Sequence, residues 1–305
     1  MTEPVITVED VCKNFNSVQA LKSISLQVQP GEIFGLIGPD GAGKTTLIRI
    51  MTTVMSPTKG KVNILGWDSD KQAQKIKDNI GYMSQQFGLY NDLTVLENLK
   101  FYADVYQLSS NQWQQRLPHL LDFSGLAEFI KRKAGNLSGG MKQKLGLICT
   151  LIHTPKILFL DEPTNGVDPL SRREFWKILY TLTSQGLTIV VSTAYLEEAE
   201  RCTKIGLIHR GELLAWGSSQ HIKQMIPQKV IEIRCSDNRK AMELLKQHYH
   251  SHSVSFFGDC IHVFTGDAEN LRVQLKIFLE NNKINKIITE IHPPQLEDVL
   301  LSLIE

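Results

Sequence analysis

The chain has 305 residues, with 33 lysines and arginines against 32 aspartates and glutamates and a formal net charge of +1, a balance that argues against a general electrostatic grip on nucleic acid. A hydrophobic content of 42% can build a sizeable core, in one large domain or two smaller ones. No apolar run approaches the roughly 18–20 residues that span a bilayer, so any membrane role is expected to come through a partner.

The chain starts Met1-Thr2-Glu3-Pro4, without a basic and apolar export signal. Cys12, Cys149, Cys202, Cys235 and Cys260 are widely spaced and form no Cys-x-x-Cys pair, which reads as reduced thiols in a cytosolic protein. Residues 5–11 and 23–28 alternate apolar and polar side chains like antiparallel strands. Residues 33–37 form a short, wholly apolar strand that runs into a glycine loop, and residues 45–55 then read as a helix. A turn at 57–60 precedes a strand over 61–65. Helical patterns follow over 92–108, 111–122 and 126–131, and Ser138 stands as an N-cap before a long helix through Ile152 that Pro155 ends. Buried strands are expected at 157–160 and 187–192, with a helix at 169–184 between them and a short acidic helix at 195–201 after them. Two strands flank the turn Arg210-Gly211-Glu212. Alternating buried strands and helices imply a parallel sheet covered on both faces. The helical block near 88–150 interrupts that alternation and reads as an inserted subdomain.

The pattern changes after about residue 225, which places a first domain at 1–222 and a second at 228–305. The second reads strand 229–235, helix 238–248, hairpin 253–257 and 260–265, helix 268–280 and strand 286–292, a βαββαβ order that suggests a small ferredoxin-like sandwich. Pro293-Pro294 leads into a last helix. His248, His250 and His252 alternate and can place three imidazoles on one side of a strand, but a solvated loop is the stronger expectation.

Residues 38–46 read Gly38-Pro39-Asp40-Gly41-Ala42-Gly43-Lys44-Thr45-Thr46 between a strand and a helix, the setting of a phosphate loop. Glycines let consecutive N–H groups curl around an anion, and the helix beginning near Lys44 aims its positive dipole end at it. The pattern assigns Lys44 to the β- and γ-phosphates and the Thr45 hydroxyl to Mg²⁺. Asp161 ends an apolar strand, the place for a carboxylate that holds Mg²⁺. Glu162 follows it, where a general base polarises the attacking water. Ser138-Gly139-Gly140 opens a helix and makes a second anion site or simply a capped helix end. If that helix belongs to the inserted subdomain, it serves the nucleotide of a second molecule rather than Lys44 of its own.

In this order the motifs resemble the ATP-binding cassette (ABC) family over roughly residues 5–220. The resemblance implies a P-loop NTPase fold of the ABC ATPase kind, with a RecA-like core, an antiparallel β-subdomain and an inserted helical subdomain. It implies ATP and Mg²⁺ as cofactors and a second nucleotide-binding domain as partner, identical or different. Phe15 matches the aromatic that stacks on adenine, although core packing remains open for it; Gln85 matches the loop glutamine that senses Mg²⁺ and links to the helical subdomain; Asp168 matches the loop that crosses the dimer interface. Residues 87–99, 141–145 and 196–200 look like ATPases of ABC-2 exporters, in particular multidrug exporters, and residues 229–305 resemble the small regulatory extension of drug-exporter ATPases. That kinship implies ABC-2 type transmembrane permease subunits as partners, no nucleic acid, and a place on the cytoplasmic face of the inner membrane. The aromatic and apolar residues Leu89, Tyr90 and Leu93 are either a groove for a partner helix or subdomain core.

One position departs from the family. Ala194 follows Ser192-Thr193 where the family has a switch histidine that contacts the γ-phosphate. Three readings follow: an ATP site that hydrolyses slowly beside a competent partner, partial replacement by Thr193 or Tyr195, or an alanine introduced to trap ATP. The resemblance thus implies an ATPase that energises export of drugs or other hydrophobic compounds, with a degenerate cassette that regulates a competent sibling as the alternative.

Overall fold

Alternating burial makes β1 (Ile6–Phe15) and β2 (Val18–Val28) an antiparallel hairpin. Both strands run further than the alternation alone suggests. Register shifts after Val8 and Val11 absorb the residues that break the pattern, as β-bulges do. The computed structural model describes residues 3–249 and 254–304; His250 and His252 lie outside them. The chain forms two units, Met1–Ser219 and Gln220–Glu305.

In the first unit β3 (Ile33–Ile37) is buried at every residue and α1 (Lys44–Met51) follows it. Next come β4 (Lys59–Ile64), β5 (Trp67–Asp68), the one-turn α2 (Ala73–Lys77) and β6 (Ile80–Met83). The sequence pattern missed β6. It is four residues long and includes Gly81, where a Cβ would come within 2.7 Å of the Thr150 side chain. The helical insertion is α3 (Val95–Val105), α4 (Ser110–Ser124) and α5 (Gly139–Leu151). Capping boxes at Thr94/Glu97 and Ser109/Gln112 start α3 and α4, each satisfying orphan N–H groups from both sides. Gly125, at φ 68°, ends α4.

The chain returns to the sheet with β7 (Ile157–Asp161), α6 (Pro169–Ser184), β8 (Thr188–Thr193), α7 (Leu196–Ala199), β9 (Lys204–His209) and β10 (Glu212–Gly217), and α8 (Ser219–Lys223) begins at the boundary between the units. The main sheet has the order β10-β9-β3-β8-β7-β6, with every pair parallel except β9–β10. The second sheet is antiparallel, in the order β2-β1-β4-β5. Ile6, Val11, Leu21, Ile24 and Ile64 of this sheet share one core with Phe34, Leu36, Phe159 and Val190 of the main sheet and Leu47 and Ile48 of α1. The parallel sheet, the antiparallel subdomain and the inserted helices thus stand as the sequence led us to expect.

The second unit is β11 (Lys229–Arg234), α9 (Asn238–His248), β12 (Val254–Phe257), β13 (Cys260–Thr265), α10 (Ala268–Asn281), β14 (Ile288–His292) and α11 (Leu296–Ile304). Its antiparallel sheet has the order β12-β13-β11-β14. Ile231, Ile233, Ile261 and Val263 point to one face and pack with Leu245 of α9 and Leu271, Leu275 and Leu279 of α10.

Candidate functional site

Four parallel strands bring the predicted residues to one edge. The glycine loop follows β3, Gln85 follows β6, Asp161 ends β7, and Ala194 follows β8. In open α/β sheets this carboxyl edge is where ligands bind. Strand order then decides who touches whom: β8 lies between β3 and β7, so Ser192 faces Asp161 across the ladder.

The loop's glycines are there for steric reasons. Gly38 passes so close to β9 that a Cβ would sit 2.1 Å from the Ile208 carbonyl oxygen. Gly43 has φ 109° and faces Leu21 and the Ala20 carbonyl, and Gly41 has φ 77°. The Gly38→Ala variant is therefore expected to lose at least about 1–3 kcal/mol of stability, the usual cost of overpacking, as read by urea denaturation; an unchanged midpoint would contradict the close approach.

Lys44 is 4% exposed and starts α1. Its ammonium donates to the carbonyl oxygens of Gly38 (2.7 Å) and Pro39 (3.0 Å) and lies 3.1 Å from Glu162 Oε1. Asp40 is further off, at 3.9 Å. The Thr45 hydroxyl donates to Asp161 Oδ1 (3.0 Å), as does the Ser192 hydroxyl (2.6 Å). Asp161 Oδ2 is buried and has no hydrogen-bond partner among the described residues. A buried carboxylate oxygen left in this way costs free energy unless a donor or a cation meets it. A hard divalent cation, which takes oxygen ligands, suits the Thr45–Asp161 pair on that ground.

Glu162 has φ 51°, a left-handed backbone that is uncommon for a residue with a side chain. Its N–H donates to Ser192, at the hydroxyl (3.0 Å) and the carbonyl oxygen (3.2 Å). Its carboxylate is met from three sides: by Lys44, by Gln85 Nε2 (3.0 Å) and by Asn165 Nδ2 (3.4 Å). Residues 40–46 with Ala20, Gln85 and Glu162 line a cleft of about 270 Å³. Beside it, Asp40, Glu162, Thr164, Asn165, Thr193, Ala194 and Tyr195 line a second cleft of about 220 Å³. Ala194 offers this second cleft a methyl group. Thr193 Oγ1 already accepts from the Tyr195 N–H (3.0 Å), and the Tyr195 ring carries the Arg172 guanidinium 4.3 Å from its centre. Sequence reasoning missed Ser192 and Asn165. Ser192 depends on the strand order, and Asn165 lies just past the Asp-Glu pair, where a turn signal alone gives it no role.

The other predicted residues stand elsewhere. Ser138 caps α5 by accepting from the Met141 N–H (3.3 Å) and does not line the cleft around Lys44. A Cβ on Gly140 would fall 2.5 Å from the Ser171 side chain, so the start of α5 rests against the start of α6. Asp168 caps α6 by accepting from the Ser171 N–H (2.9 Å), which holds its carboxyl below the usual carboxylate range. Phe15 ends β1, is 43% exposed and has the Lys13 ammonium 5.3 Å above its ring. Among the predicted aromatics of the insertion, Tyr90 is 47% exposed and packs edge-on against Phe101, with Phe87 stacked on Tyr102 nearby.

Residues 21–165 match the ABC transporter family. The chain is 45% identical over 226 residues to the probable multidrug ABC transporter ATP-binding protein YbhF of Escherichia coli K12, covering 73% of this chain but 39% of that protein, about two fifths of its length. It is 34% identical over 305 residues to the Nod factor export ATP-binding protein I of Rhizobium sp. N33, covering 99% of this chain and 98% of that one. The bacitracin transport ATP-binding protein BcrA of Bacillus licheniformis is 32% identical over 303 residues, covering 98% and 97%. Among solved structures, the ATP-binding subunit of an ABC transporter superposes with a TM-score of 0.66 at 29% identity, covering 73% of this chain and 93% of the other. A dimeric ATP-binding cassette in a post-hydrolysis state, bound to ADP and Pi, superposes with a TM-score of 0.64 at 28% identity, covering 70% and 98%.

Proposed function

This chain belongs to the ABC transporter family of ATP-binding proteins, and from that premise we propose that it is the ATP-hydrolysing subunit of an ABC-2 type exporter. The observation that carries the reading is the meeting of Lys44, Thr45, Gln85 and Glu162 around one cleft at the carboxyl edge of the sheet, with Asp161 bonded to Thr45. The glycine loop and the start of α1 cradle the ATP phosphates, and the Lys44 ammonium leaves the Gly38 and Pro39 carbonyls for them. Thr45 and Asp161 would hold Mg²⁺, which supplies charge neutralisation on the phosphates. Glu162 accepts a proton from the attacking water while Gln85 and Asn165 orient its carboxylate. Phe15 stacks on adenine.

The start of α5, too far round to line its own cleft, serves the nucleotide of a second cassette, with Ser138, Gly139 and Gly140 as donors to its phosphates. Asp168, at the neighbouring helix start, lies on the same interface. Closing and reopening of two cassettes passes through the helical insertion to separate membrane subunits, which the exposed Tyr90 and its aromatic neighbours contact. Among the described residues no helix is long and apolar enough to cross a membrane. In this reading the permease subunits are other chains within the inner membrane, and this chain sits against their cytoplasmic face. The multidrug and bacitracin relatives support cargo of the drug class.

Ala194 favours a second reading, a cassette that clamps ATP and regulates a competent partner. In the cleft it shares with Glu162, Ala194 presents a methyl group, which cannot donate to a phosphate as an imidazole would. Phosphate release from MgATP by the purified protein separates the two readings: steady turnover that depends on Glu162 supports the ATPase, and binding with negligible turnover supports the clamp.

A further inference from the structure

The sheet of the second unit carries polar side chains on the face opposite its apolar core. Glu232 of β11 and His262 of β13 are cross-strand partners there, and His292 of β14 pairs with Val230, one step diagonal from Glu232 on the same face. The donor atoms of these three residues all lie within 4.8 Å of one another. His262 Nε2 and His292 Nε2 are each 3.6 Å from Glu232 Oε2. That is too long for a hydrogen bond. It is close to the roughly 3.3–3.4 Å edge of a tetrahedron with metal bonds of about 2.0–2.1 Å.

The second nitrogens explain why lone pairs converge. His262 Nδ1 is 2.7 Å from Asp298 Oδ1, and His292 Nδ1 is 2.9 Å from the Pro293 carbonyl oxygen. Both partners are acceptors, so each Nδ1 carries a proton, and in the neutral form of each ring Nε2 turns its lone pair toward the Glu232 carboxylate. In that form three acceptors face one another. A carboxylate or carbonyl behind each imidazole is the arrangement that orients metal-ligating histidines.

The site is built into the fold. His262 is 1% exposed and Asp298 is fully buried, and Asp298 Oδ2 also accepts from the Gln295 N–H (2.7 Å) at the start of α11. The surrounding charges are mixed. Arg234 holds the other Glu232 oxygen (2.9 Å), Glu290 sits beside Glu232 on β14, and the Cys260 thiol is 3.6 Å from His262 Nε2. Arg234 leaves Oε2 to the imidazoles, and the Glu232–Glu290 pairing of like charges favours a cation.

We propose that Glu232, His262 and His292 form a binding site for a divalent transition metal of the zinc class, with Asp298 and the Pro293 carbonyl orienting the two imidazoles and a fourth position left to water. Two nitrogens and one carboxylate oxygen are a zinc ligand set. Since Asp298 belongs to α11, the metal also fastens the last helix to the sheet.

The test is titration of the chelator-stripped full-length protein with zinc chloride, followed by calorimetry, by metal content after desalting and by thermal melting at fixed pH. One zinc per chain is expected, with a raised melting temperature. Asp298→Asn is expected to weaken binding about 10–100-fold, as loss of such a partner does, and His292→Ala and Glu232→Gln at least as much. His292 is partly exposed, so its alanine variant keeps the test readable if changes at the buried His262 or Asp298 unfold the unit. The His250→Ala/His252→Ala variant is expected to bind like the parent. Absence of saturable uptake, undiminished uptake in both His292→Ala and Glu232→Gln, or loss of uptake in the His250/His252 variant would overturn the proposal. So would melting that responds to pH but not to zinc, which would make the cluster a protonated histidine pair.

Discussion

Glutamine at position 162 is expected to cut steady-state ATP turnover by about 10²–10⁴-fold, the usual contribution of a positioned general base, while ATP binding is kept. Glu162 and Gln have the same shape, so the contacts from Gln85 and Asn165 have a partner in either. The amide cannot take a proton from water. It also frees Lys44 from an ion pair in which the two side chains are 4% and 11% exposed, which leaves the ammonium more available to phosphate. Phosphate release and nucleotide titration on the same preparation check both halves. Turnover like that of the parent would move the base to another group and remove the role assigned to Glu162.

The second large effect is a gain. Ala194→His is expected to raise turnover about 10²–10³-fold, the scale on which one donor aimed at developing charge acts. The cleft of about 220 Å³ in front of Ala194, lined also by Asp40, Glu162 and Asn165, has room for an imidazole. Thr193 Oγ1 accepts from the Tyr195 N–H and the Arg172 guanidinium covers the Tyr195 ring, so a hydroxyl is all that either side chain offers in place of an imidazole. Phosphate release by the variant and by Ala194→His/Glu162→Gln together checks this, with the double variant expected to fall back. A rate unchanged by histidine would mean that another group lining the cleft, such as Asn165 or the Thr193 hydroxyl, already stabilises the charge.

The parts of this site that were legible in the sequence are those fixed by local backbone. A glycine loop between an apolar strand and a helix has few other uses, and the φ values of Gly41 and Gly43 show why those positions disfavour side chains. The Asp161-Glu162 pair was legible because a strand ends there. Ser192 was not, because its contact with Asp161 exists only through the placement of β8 between β3 and β7, a long-range choice that leaves no periodic trace. The same distinction runs through the second unit. Strand alternation and turn residues announced its βαββαβ order. The histidines that drew attention were the neighbours His248, His250 and His252, whereas Glu232, His262 and His292 come from three strands and become one cluster only through register. The bulged β1–β2 hairpin and the four-residue β6 escaped for a related reason: bulges and short strands break the period that pattern reading relies on.

The central claim is that the cleft around Lys44 holds the phosphates of ATP. Calorimetric titration of the purified chain with MgATP, beside a Lys44→Ala variant whose circular dichroism matches the parent, tests it most directly. One ATP per chain is predicted for the parent and no saturable heat for the variant. Equal affinity in the two would contradict the account.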